Sequence, residues 1–171
     1  MNCRILCPGP SLLQYEPGDF SGLLIGVNRA VLAHRVDVWA ALDFPFVHES
    51  RGVIGAPFLF TQAETRRQLA SRGNPWAKRV RYVAEDLFTF LPPTTLPWTN
   101  FSMTAAIVLA ASAGCDEISI FGCDWTAAPD FDGDASAMAN RDENRWARER
   151  GIYRKLSDTL GARWGVRISR L

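Results

Sequence analysis

What most constrains this chain is an alternation. Short apolar runs rich in Val, Ile and Leu recur along its length, each followed by an amphipathic or turn-forming segment. A strand covered on both faces reads as a near-continuous apolar run, and parallel neighbours need a crossover between them. The pattern therefore implies an α/β fold: a doubly wound, mainly parallel sheet with helices on both faces. Strands are expected at Cys3 to Cys7, Leu23 to Val27, Val36 to Leu42, Pro57 to Thr61, Arg79 to Ala84, Glu117 to Gly122 and Gly165 to Ser169. Helices are expected over Arg29 to His34, Gln62 to Ser71, Ser102 to Ala113 and Ala137 to Leu160. With 171 residues, 47% of them hydrophobic, the chain has the size of a single domain over residues 1–171.

The helix from Ser102 is apolar almost all round, so it should be packed on several sides, its alanines letting it sit close to the sheet. The last helix is highly charged. Trp146, Tyr153, Leu156 and Leu160 fall near one stripe, and Arg145, Arg148, Glu149, Arg150 and Arg154 occupy the rest, which suits a helix capping one sheet face. Phe88 to Thr99 and Thr126 to Ser136 show no regular pattern, and loops of that length in a small domain are more often functional than idle.

Nineteen Lys plus Arg against eighteen Asp plus Glu leave a formal charge of +1. Without a strong field of either sign, generic nucleic-acid binding loses its main driving term. No run approaches the roughly 20 apolar residues of a membrane span, and the opening Met1 to Pro10 reaches a turn too early for a signal peptide, so a cytoplasmic protein is expected. Cys3, Cys7, Cys115 and Cys123 form no C-x-x-C pair and read as small buried residues in a reducing compartment.

Four segments carry candidate chemistry. The first is the strand-turn-helix Arg4 to Leu12. There Gly9 would let an anion approach the backbone, Pro10 suits a first helical position, and the amides from Ser11 would face the mouth, as a phosphate requires. On that reading Gly9→Val should abolish nucleotide binding and leave the fold largely intact. The same turn can also be purely structural. G-x-x-x-x-G-K-[ST] and G-x-G-x-x-G are both absent, which argues against a standard ATPase or NAD dehydrogenase. The second is Gly26 to Arg29 at a strand end, where the Asn28 carboxamide could bond ribose, base or phosphate or cap the next helix, and Arg29 offers a charged fork. The third, Asp43, reads first as a helix cap. The fourth joins Ser102, a cap that could also donate to phosphate or ribose, with Asp124 at the end of the following strand. These strand ends and one helix start can converge on one rim.

The run Cys7-Pro8-Gly9-Pro10-Ser11-Leu12, the Val27-Asn28 strand end, and Ser102 through Asp124 together resemble a Rossmann-like superfamily. It includes the bacterial single-domain sialyltransferases and the family uniting archaeal 6-hydroxymethylpterin diphosphokinase with flagellin-glycosylation accessory proteins. The resemblance covers the first forty residues and Ser102 to Asp124, and barely the middle. It implies that Gly9 and Ser11 approach a nucleotide phosphate, and that Asn28 and Ser102 help hold nucleotide or ribose. The chain also departs from the pattern. The first Gly of the family turn and the residue after it are here Cys7 and Pro8. The sialyltransferases use a histidine base and a tyrosine pair in their C-terminal half, whereas this chain has only His34 and His48, both N-terminal, and Tyr15, Tyr82 and Tyr153.

In the loop from Asp124 to Asp134, Asp130 and Asp132 could hold Mg²⁺ or Mn²⁺ on a pyrophosphate or form a solvated acidic turn; no other cofactor is implied. Trp98 and Trp125 could stack on a base or be buried. The basic run Arg141, Arg145, Arg148, Arg150 and Arg154 could supply phosphate forks or form an exposed face. His48, after a strand-end loop, is the imidazole best placed to face the rim, and with Asp124 it makes up the candidate catalytic pair. The expected function is a nucleotide-dependent transferase, most simply glycosyltransferase-like with a nucleotide-sugar donor as partner. The alternatives are a Mg²⁺-dependent diphosphokinase acting on a small alcohol such as a pterin, and a nucleotide-binding accessory module without catalysis.

Overall fold

In a computed structural model, residues 1–50, 55–134 and 142–171 are described. Seven strands form one all-parallel sheet: β1 (Asn2–Leu6), β2 (Leu23–Val27), β3 (Val38–Ala40), β4 (Phe58–Thr61), β5 (Val80–Val83), β6 (Glu117–Phe121) and β7 (Arg167–Arg170). Their order is β5-β4-β3-β2-β1-β6-β7. The helices are α1 (Phe44–Glu49), α2 (Ala63–Ser71), α3 (Ser102–Ser112) and α4 (Glu143–Trp164), with 3₁₀ turns at Pro10–Gln14, Asn28–Leu32, Pro75–Arg79, Ala84–Leu87 and Trp98–Asn100. The doubly wound α/β expectation holds. The short segment after Asn28 is a 3₁₀ turn rather than a full helix, and α1 is a helix the apolar pattern does not announce. The expected helix from Ala137 begins in residues 135–141, outside the described residues.

Alternation along each strand divides the core. Cys3, Ile5 and Cys7 of β1 and its end, with Ile25, Val27, Val38, Ala40, Ile118 and Ile120, face α3 and α4. Leu6, Trp39 and Leu59 face the other way, toward α1, α2 and the 3₁₀ turns that precede them. Crossovers after β1 through β4 lie on this second face; those carrying α3 and α4 lie on the first. The winding reverses at β1, which pairs with β2 on one side and β6 on the other, Ile5 standing opposite both Ile25 and Ile120. Such a reversal opens a crevice beyond the carboxyl ends of the two central strands.

α3 is buried from Ser102 to Ala111, as its all-round apolar character requires. In α4 the buried stripe is Glu149, Ile152, Leu156 and Leu160, not one led by Trp146 and Tyr153. The helix is capped by the Asp142 side chain, which accepts from the Arg145 amide at 2.7 Å, and closed by Gly165 at φ 68°. All four cysteines are buried and free, and Cys7 shares a hydrogen bond with Cys123, which together with burial pushes its thiol pKa up. No described helix is long and apolar enough to cross a membrane.

Candidate active site

At the winding reversal lies a crevice of about 320 Å³. Its lining comes from every strand end expected to meet there: Gly9 and Pro10 after β1, Asn28 after β2, Asp43 after β3, and Asp124 and Trp125 after β6. The start of α3 (Phe101 to Met103) and one face of α4 (Arg145, Trp146, Glu149) complete it. Residues far apart in the chain are thus brought to one rim because parallel strands all end on the same side.

The turn after β1 does not present bare amides to a ligand. Asp124 reaches across it: its Oδ2 accepts from the Ser11 amide at 2.9 Å, and its Oδ1 accepts from the Ser11 hydroxyl. The protein's own carboxylate thus occupies the anion position of this 3₁₀ turn. Gly9 is held here by its neighbours. Its amide donates to the Gly122 carbonyl at 2.8 Å, and a Cβ on Gly9 would fall well inside contact distance of that oxygen and of Asp124 Oδ2. Gly122, at φ 69° and pressed against the Cys7 carbonyl, is likewise required as glycine. The expectation that Gly9→Val would spare the fold is therefore corrected. Packing forbids the side chain whether or not an anion binds.

The start of α3 is built the opposite way. Phe101 occupies the N-cap position and Ser102 is the first helical residue, so Ser102 is not the cap. No side chain caps this terminus, and its first turn holds no acidic residue. Ser102 is buried, lines the crevice, and makes no hydrogen bond with the described residues through its hydroxyl. Across from it the Arg145 guanidinium lies 5.5 Å from the centroid of the Phe101 ring. An eleven-residue helix aims its uncompensated amides and the positive end of its dipole at the crevice, next to a cation.

Asn28 and Trp125 are the described non-glycine residues with positive φ, both at 48°, and both line this crevice. Asn tolerates that region; for Trp it carries strain of the kind that collects at functional sites. Asn28 does not cap with its side chain; its carbonyl accepts from Trp39 Nε1 at 3.0 Å. The Trp125 ring packs edge-on against Tyr153, with Arg170 4.8 Å over it, and its indole N–H is buried with no partner. Asp43 takes the N-cap position of α1 without a side-chain capping bond.

Other expected site residues lie elsewhere. Arg29 is not on the lining. Its Nε donates to Asp132 Oδ2 at 3.0 Å and its Nη1 pairs with Asp134 at 3.0 Å, which ties the acidic loop to the 3₁₀ turn after β2. Burial opposes ionisation of Asp132, but the Arg29 hydrogen bond and the Asp134 amide outweigh it and lower the carboxyl's pKa. Asp130 is buried and on the lining, but no described group of three or more His, Cys, Asp or Glu side chains is placed to hold a metal ion. His48 is away from the crevice, stacked on Phe44 at 5.1 Å and 3.3 Å from the Asn74 amide nitrogen. His34 packs on Tyr15, and burial lowers its pKa. Trp98 is core, donating to the Leu91 carbonyl. Among the described members of the basic run, Arg145 alone lines the crevice and Arg150 pairs with Glu143; Arg141 lies outside the described residues. Glu149, placed on the solvated face by composition, is on the lining and 8% exposed. Its position three residues before Ile152 and seven before Leu156 is the signal that marks it.

No family profile and no curated protein sequence matches this chain. Solved structures do match in fold, and what they share with this chain is a doubly wound α/β sheet. The sialyltransferase CST-II in complex with a trisaccharide acceptor and CMP superposes with a TM-score of 0.65 at 12% identity, covering 100% of this chain and 81% of that one. CstII from Campylobacter jejuni in complex with CMP-3FNeuAc gives 0.66 at 13% identity over 99% and 80%. The same enzyme with cytidine-5'-monophosphate gives 0.64 at 14% identity over 99% and 79%.

Proposed function

We propose that the chain is a transferase that binds a nucleotide-sugar donor in this crevice, with the donor phosphate at the start of α3. The observation that carries the reading is the uncapped, acid-free N-terminus of α3 opening into the crevice beside Arg145. Asp43, Asp124, Asp130 and Glu149 also line it, so an anionic group is repelled elsewhere and is best accommodated at this end. Phe101, Trp125 and Trp146 offer ring faces for a base or sugar, and the carboxylates offer acceptors for hydroxyls. Charge that develops on the departing phosphate would be met by fixed amides and a guanidinium, the usual source of rate in group transfer. The likeness to structures solved with CMP favours a cytidine nucleotide.

A thermal-shift panel of CMP, UDP, GDP and ATP, with and without Mg²⁺, tests this. A ligand that binds the folded state at a hundred times its Kd stabilises it by about 2.7 kcal/mol. CMP is expected to raise Tm without metal. A response to none of the four would overturn the reading, and a response to ATP that requires Mg²⁺ would replace it with diphosphoryl transfer.

A further inference from the structure

We propose that Cys7 and Cys123 form a redox-active dithiol on the wall of the crevice, which a low-molecular-weight disulfide converts to a disulfide bond. The inference stands apart from the transferase reading. Both residues line the crevice, and both belong to the side of the sheet that faces α3 and α4. Backbone pairing holds them side by side beyond the strand ends. The Cys7 amide donates to the Phe121 carbonyl at 2.7 Å, and the Gly9 amide donates to the Gly122 carbonyl at 2.8 Å. Gly122, at φ 69° and close against the Cys7 carbonyl, turns the chain there, so Cys123 emerges on the same face as Cys7. Neighbouring strands run about 4.8 Å apart, within the Cα separation of about 4.4–6.8 Å that a disulfide bridges. The two thiols already share a hydrogen bond.

A second thiol pair shows what is particular to this one. Cys3 and Cys115 also share a hydrogen bond, near the start of β1, and neither lines the crevice. Cys115 is the acidified member, its pKa lowered by that hydrogen bond. Exchange needs a reagent within reach as well as a thiolate, and access favours the crevice pair. There the hydrogen bond to Cys123, then burial, keep the proton on Cys7, and the charges of Glu149 and Asp124 add to this. Cys123 is therefore the attacking sulfur. Having released its proton to solvent, it bonds to one sulfur of the reagent, whose S–S bond breaks and whose other half leaves as thiolate with the bonding pair. The Cys7 sulfur then attacks Cys123 Sγ. The second half of the reagent leaves with its bonding pair and takes up the Cys7 proton. Two cysteine thiols and one small disulfide thus become one protein disulfide and two small thiols, with two electrons passed to the reagent. The new bond ties together the ends of β1 and β6, one residue before Asp124 crosses to Ser11.

The test incubates the full chain with hydroxyethyl disulfide in the absence of denaturant and maps free and bridged cysteines by mass spectrometry. Two of the four thiols should be lost together, giving a single chain two hydrogens lighter with Cys7 joined to Cys123, and a reductant should restore both. Cys7→Ser should stop at a mixed disulfide on Cys123, whereas the crevice thiol left in Cys123→Ser should react at least about tenfold more slowly than the parent pair. A bridge between Cys3 and Cys115 that forms first overturns the proposal. So do thiols that stay unreactive until denaturant is added, and so does a Cys123→Ser variant whose Cys7 is modified as fast as in the parent. If a variant does not fold, the map of the parent chain decides alone.

Discussion

Two of the helix starts that face the crevice are opposites. The Pro10–Gln14 turn after β1 carries the Gly-Pro-Ser pattern that looks made for an anion, and the Asp124 carboxylate fills it from 113 residues away. The start of α3 carries no comparable motif, only Asn100, Phe101 and Ser102, and it is open and uncapped. A sequence pattern reports which backbone geometry is available. Whether that geometry is already used depends on what the rest of the fold brings to it.

The largest expected effect breaks the first member of the pair. Gly9→Val should destabilise the protein by about 3 kcal/mol or more, since the new side chain meets the Gly122 carbonyl and Asp124 and backbone must shift. Chemical denaturation measures it, and a variant with parental stability would show that the β1 turn is loosely packed after all. Asp124→Ala comes next. It leaves the Ser11 amide and hydroxyl without their partner, at a cost of about 2 kcal/mol. It also vacates the anion position, so sulfate should stabilise this variant more than it does the parent. Equal responses to sulfate would mean that the turn is no anion site even when emptied.

Ser102→Asp sharpens the contrast from the other side. A carboxylate in the uncapped first turn of α3 gains about 0.5 kcal/mol from the helix dipole, but Ser102 is buried, so the net effect should be a loss of about 1 kcal/mol, while the new charge also repels a phosphate from the same amides. Stability should therefore fall modestly and nucleotide affinity sharply. A variant whose CMP-induced Tm shift equals the parent's would place the phosphate elsewhere.

How much of this was legible in the sequence follows the range of the forces involved. The strands were, with β2 at Leu23–Val27 matching its apolar run end to end, because burial on both faces is written residue by residue. Helix α1 was not. Phe44-Pro45-Phe46-Val47 in a six-residue helix has neither the length nor the periodicity that separates helix from loop. Gly9, Pro10, Asn28, Ser102 and Asp124 do reach one rim, because strand-end position alone predicts that. Their partners were not legible. The Ser11–Asp124 bond and the Arg29–Asp132 pair span more than a hundred residues each, and no local spacing encodes either. Glu149 was misplaced for a different reason. In a helix crowded with charge, composition drew the apolar stripe through Trp146, when the i, i+3, i+7 spacing of Glu149, Ile152 and Leu156 runs it through a carboxylate.

The smallest expected effect tests whether Arg29 belongs with the open helix start or with the filled one. As built, it neutralises Asp132 and Asp134 and so serves the acidic loop. All three side chains are partly buried, so Arg29→Met should cost about 1 kcal/mol at neutral pH, reduced by salt. The sign of its pH dependence is set by Asp132. A carboxyl whose folded pKa is lowered contributes stability above its unfolded value, and that contribution is lost as pH falls through the folded value. The difference between parent and Arg29→Met should therefore be full at pH 7 and shrink once the pH drops below the ordinary aspartate range. Denaturation curves taken from pH 7 downward give that difference directly. If it stays constant into acid, Arg29 is not stabilising through Asp132. If Arg29→Met also abolishes the CMP shift, Arg29 reaches the ligand, and the line between loop anchor and binding residue must be redrawn.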